Sequence, residues 1–106
     1  MLITTQDNFA DYTITETLGL VKGNTIRARH LGKDIIAGLR SMVGGEIEEY
    51  TKMLAEAREQ ALDRLIAHAQ SLGADGIVAT RFTTSAIMQN AAELFAFGTA
   101  VKLQKK

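Results

Sequence analysis

From Ile47 to Leu72 the chain runs without a glycine or proline, and its apolar residues recur at helical spacing. Ile47, Tyr50, Leu54, Ala57, Ala61, Leu65 and Leu72 form one stripe, and Met53, Leu62, Ile66 and Ala69 widen it into a broad face. Glu48, Lys52, Glu56, Glu59 and Asp63 fall mostly off that face, as solvated residues should. Gly73 follows as a left-handed stop. The stretch is a long amphipathic helix, and the rest of a 106-residue chain must cover it. Upstream, Asp34 reads as an N-cap before Ile35, Ile36, Leu39, Met42 and Val43, again at helical spacing. That pattern stops at Gly44-Gly45. Two glycines inside a helix would cost about 2 kcal/mol relative to alanine, so the pair predicts a break. A short helix is expected near Asp34 to Val43 and a long one near Glu46 to Leu72. Gly44 then caps the first and Gly45 opens the second. Glu46, Glu48 and Glu49 fall in its first turn, where carboxylates suit the helix dipole. Without side chains, the break also lets a neighbouring backbone or a small molecule approach closely.

The flanks read as strands. Met1 to Thr5 suits an edge strand. From Tyr12, Ile14, Glu16, Leu18 and Leu20 alternate with Thr15, Thr17, Gly19 and Val21, a period of two with threonine and β-branched residues. Lys22-Gly23-Asn24 reads as a hairpin turn, returning as a strand from Thr25 to His30. After the helix, Gly76 to Ile87 is strand-like and Met88 to Ala91 a turn. In the last stretch Glu93, Phe95, Phe97, Thr99 and Val101 alternate with Leu94, Ala96, Gly98 and Ala100. The expected fold is a single α+β domain over residues 1–106: a mostly antiparallel sheet packed on a long broken helix, in the order β-β-α-α-β-β. Much of the helix's apolar face, and the outer sheet face carrying Phe95 or Leu94, is expected to exceed what one subunit can cover.

Composition narrows the function classes. Twelve basic residues balance twelve acidic ones, which argues against nucleic acid or an anionic membrane as the main partner. Cysteine is absent, and with it disulfides, thiolate metal sites and thiol nucleophiles. No apolar run has the length of a membrane span, and the first residues lack the basic-then-apolar pattern of a secretory signal. The expected location is the cytoplasm.

No catalytic constellation emerges. Gly32-Lys33 lacks the upstream glycine of a phosphate loop, and Asp34 stands where Ser or Thr is needed. The glutamates near the long helix start have no histidine, serine or lysine partner, and the dipole explains them better than acid–base chemistry. An enzyme is not expected. Soft metals prefer thiolate, and His30 and His68 show no ligand spacing. His68 follows Ala61 and Leu65 on the stripe and reads as a packed, hydrogen-bonded histidine. The best candidate ligand-binding cluster is Arg29, His30, Arg40, Glu46 and Tyr50, which bracket Gly44 and Gly45, together with Arg81, a charged group in mid-strand. The competing explanation is that these groups form salt bridges and hydrogen bonds between subunits.

Leu18-Gly19-x-Val21-x-Gly23, Val43-Gly44-Gly45-Glu46 with Tyr50 after it, Ala57-Arg58, Leu72-Gly73-Ala74, Arg81-Phe82 and Gly98-Thr99-Ala100-Val101 together resemble the YbjQ-like family of small uncharacterised bacterial proteins. The resemblance runs from about Glu16 to about Leu103. It implies a dodecin-subunit-like α+β fold and a ring-shaped homopentamer in which short strands join subunits. It also carries the description of a heavy-metal-binding protein, without catalytic residues and without an established enzymatic activity. A pentamer could gather one His30 or Glu46 from each subunit at its axis. The expected function is an oligomeric small-ligand or metal-ion binding module, with a structural or interaction ring as the alternative. The metal and any cofactor are unspecified.

Overall fold

The computed structural model describes residues 1–28, 48–88 and 91–106. In chain order these form β1 (Leu2–Ile3), β2 (Tyr12–Ala28), α1 (Glu48–Ser71), β3 (Gly76–Met88) and β4 (Ala91–Lys105). The sheet order is β1-β3-β4-β2. β4 pairs antiparallel with both β2 and β3, whereas β1 lies parallel to β3. The architecture is α+β with a four-stranded mixed sheet. The edge strand expected at the N-terminus is present in β1.

The strand arrangement departs from the expected one. Lys22-Gly23-Asn24 is not a hairpin turn. These residues sit inside one seventeen-residue strand, paired with Phe97, Ala96 and Phe95. The two strands before the helix are therefore β1 and β2, at opposite edges of the sheet, not an adjacent hairpin. The physical reason lies in the side chains. Val21, Gly23 and Thr25 are all buried while Lys22, Asn24 and Ile26 are exposed, so the period of two continues straight through. A turn requires the alternation to end, and it does not. Earlier in β2 the register slips between Ile14 and Glu16 and again between Thr17 and Gly19. Such bulges reset which face a side chain meets. Leu18 and Val21, three residues apart, consequently reach the same core.

α1 packs on β2 and β4. Its contact line is Ala57, Ala61, Leu65 and Ala69, all fully buried at intervals of four. Against it stand Val21, Ala96, Ala100 and Ile77. Among the described residues the largest fully buried side chains are Leu65, Ile77, Val21 and Val101, and much of the rest of the described core is alanine and glycine. The small residues let the helix lie close. At Gly23 a Cβ would collide with the helix backbone at Ala61 O and Leu65 N.

The helix ends as expected. Gly73 has φ +75°. Ala74 N–H donates to Ala69 O at 3.1 Å and Gly73 N–H to Gln70 O at 2.9 Å, the two bonds of a Schellman cap. Asp75 then leads into β3, its carboxylate Oδ2 accepting from Leu103 N–H at 2.9 Å. The expected short helix, the Gly44-Gly45 break and the start of the long helix at Glu46 lie outside the described residues.

Candidate functional site

Of the residues expected to bind a ligand, Arg29, His30, Arg40, Gly44, Gly45 and Glu46 lie outside the described residues. The backbone of Tyr50 belongs to the first turn of α1. Arg81 is on β3, opposite Phe97 of β4. Its Nη1 donates to Thr5 O at 2.7 Å and to Thr80 O at 2.9 Å. The reason a mid-strand arginine exists is visible here. β3 carries a register shift between Val78 and Arg81, with Ala79 at φ +53°. The segment after β1 lies along that irregularity: Ala79 N–H donates to Gln6 O at 2.8 Å and Thr80 N–H to Thr4 O at 3.0 Å. The guanidinium adds a further bond to the same segment, so Arg81 fastens the N-terminal residues to the sheet.

A second polar cluster surrounds Gly23. Lys22 N–H donates to Nδ1 of His68 at 3.1 Å, and Arg64 Nη1 donates to Asn24 O at 2.6 Å. Arg64 and His68 stand one turn apart on the flank of α1, beside Ala61 and Leu65. Gly23 brings that helix backbone close enough for both side chains to reach the strand edge. Among the described strands β2 is the end strand of the sheet, and its outward-facing backbone groups need partners. The imidazole and guanidinium supply them at residues 22 and 24. His68 is thus half-buried and hydrogen-bonded, as the sequence suggests. Its carbonyl also accepts from Ser71 Oγ at 2.6 Å. Sequence reasoning missed the cluster because it placed a turn at Lys22 to Asn24. The available signal was the i, i+4 spacing of Arg64 and His68 next to the buried stripe.

A soft-metal centre does not fit the described chain. There is no cysteine. Among the described residues no three His, Asp or Glu side chains converge, and Nδ1 of His68 already accepts a backbone hydrogen. Two buried hydroxyls, Thr25 Oγ1 and Thr80 Oγ1, have no hydrogen-bond partner. No helix among the described residues is long and apolar enough to cross a membrane.

Residues 1–104 match the YbjQ family model, whose description is "Putative heavy-metal-binding". This chain belongs to that family. Within it, a UPF0145 protein from Dehalococcoides mccartyi is 60% identical over 101 residues, covering 95% of this chain and 97% of the relative. A UPF0145 protein from Methanosarcina acetivorans is 55% identical over 106 residues, covering both chains fully. The YbjQ fold has a solved likeness in a protein of unknown function of the DUF74 family from Pediococcus pentosaceus. That crystal structure superposes with a TM-score of 0.68 at 21% identity, covering 98% of each chain. The relatives thus span bacteria and archaea.

Proposed function

We propose that this chain is a non-enzymatic subunit of a closed homopentameric ring, located in the cytoplasm, and that a metal ion or small molecule is held between subunits rather than within one. The observation that carries the reading is uncovered apolar surface. Leu20 is 67% exposed, Ile26 57% and Phe82 47%. Leu20 and Ile26 share the sheet face turned away from α1, and Phe82 is on the inner face on β3, opposite Ala96, while α1 packs on β2 and β4. Surface of this kind marks interfaces, and closed cyclic symmetry is the common way to cover it. The family resemblance supplies the number five, and the family description supplies the heavy metal.

The second reading is a structural or interaction ring that takes no small ligand. Arg81 favours it, because its described contacts are backbone carbonyls. Calorimetry on metal-free protein separates the two. The ligand-holding ring predicts measurable binding, and because the chain has no thiolates that binding is expected to be weaker than submicromolar for Zn(II), Cd(II) or Hg(II). No heat at any concentration would favour the ligand-free ring for these metals. A submicromolar Kd abolished by His30→Ala would establish a shared metal site on the ring. A thermal-shift screen extends the same comparison to small molecules.

A further inference from the structure

We propose that the N-terminal residues Thr4, Thr5 and Gln6 are a register clamp for β3. By holding one extra residue, Ala79, in place, they fix which side chains further along β3 share the sheet face that carries α1. The extra residue shows in the pairing with β4. Val78 stands opposite Thr99 and Arg81 opposite Phe97, three steps along β3 against two along β4. Ala79 takes φ +53°, a left-handed conformation that is costly for any residue with a Cβ. Thr80 adds a second cost, because its buried hydroxyl has no hydrogen-bond partner. Such strain persists only where the surroundings hold it.

The N-terminal segment supplies the hold. Thr4 N–H donates to Ile77 O at 3.0 Å. In a regular parallel ladder Thr4 O would then accept from Ala79 N–H. Instead it accepts from Thr80 N–H at 3.0 Å, and Ala79 N–H donates to Gln6 O at 2.8 Å. Gln6 N–H donates back to Thr4 Oγ1 at 3.1 Å, and Arg81 Nη1 donates to Thr5 O at 2.7 Å. The segment therefore bends around the bulge and bonds the residues on both sides of it. Without the bulge, pairing continued from Val78 would set Arg81 opposite Ala96 and Phe82 opposite Phe95. Each side chain from Thr80 to Ala86 would then change face. Phe82 is one of the exposed apolar residues on which the proposed ring rests, so the clamp reaches assembly through that reading. The register itself does not depend on the ring, and the test reads register alone.

The chain has no cysteine, so introduced pairs report register without competing thiols. Ser85 stands opposite Glu93, whereas Thr84, one residue away, points to the other face. Intrachain disulfide formation, read by peptide mass mapping, should be at least about tenfold faster in Ser85→Cys/Glu93→Cys than in Thr84→Cys/Glu93→Cys, because only opposed Cβ atoms meet the bond's geometry. Thr4→Pro removes both the N–H that bonds Ile77 O and the hydroxyl that accepts from Gln6. It should erase or reverse that preference. Adding Ala79→Gly, which adopts positive φ without penalty, should restore it, and Ala79→Gly alone should raise Tm. An undiminished preference in Thr4→Pro would overturn the proposal. So would an unchanged or lowered Tm in Ala79→Gly, a result that stands whether or not Thr4→Pro folds.

Discussion

At the scale of single residues, Gly23 organises more of the molecule than any charged group described. Its missing side chain admits the helix backbone at Ala61 and Leu65, and that approach places His68 and Arg64 on the strand edge. Gly23→Ala should therefore be destabilising although alanine is the smallest change and the better β-former. The methyl must displace main chain rather than a flexible side chain, so the cost should be about 1–3 kcal/mol or more. Urea unfolding measures it. An unchanged midpoint would mean that helix and strand separate without loss and that the close approach is not required. Arg81 teaches a related lesson. Its charge in mid-strand suggested a ligand, yet its described hydrogen bonds serve the backbone of the N-terminal segment.

At the scale of elements, the helix was the most legible part of the chain. Ala57, Ala61, Leu65 and Ala69 lie on the predicted stripe and are buried, and Gly73 ends the helix with the predicted cap. Leu72 was assigned to the same stripe and is exposed, because it follows the last helical residue. β4 was legible too: Leu94, Ala96, Gly98 and Ala100 form its inner face as alternation implied. β2 was not, for two physical reasons. Glycine and asparagine favour turns through positive φ, but Gly23 was needed for space, a property no local pattern reveals. The bulges before Gly19 also broke the parity on which face assignment depends. Most of the candidate cluster sits around Val43-Gly44-Gly45-Glu46, outside the described residues, and retains its sequence-based expectation. If Gly44-Gly45 separates two helices, Gly44→Val should lower both Tm and oligomer mass, whereas Gly38→Ala should be neutral or stabilising by up to about 1 kcal/mol. Full assembly and an unchanged Tm in Gly44→Val would remove the break as a requirement.

At the scale of the whole molecule, the single chain looks unfinished. Its radius of gyration is 17.5 Å and its extents are 55 × 24 × 16 Å, against about 13 Å for a compact domain of roughly this length. Among the described residues the sheet carries an alanine-rich core against the helix, and Leu20, Ile26 and Phe82 are exposed. In the proposed ring, the remaining core of the 11.5 kDa chain would form on association. Such a subunit should not persist alone at micromolar concentration. Size-exclusion chromatography coupled to light scattering tests this most directly. A closed ring predicts one species at five times the chain mass, unchanged on moderate dilution. A species with the mass of one chain would contradict the account.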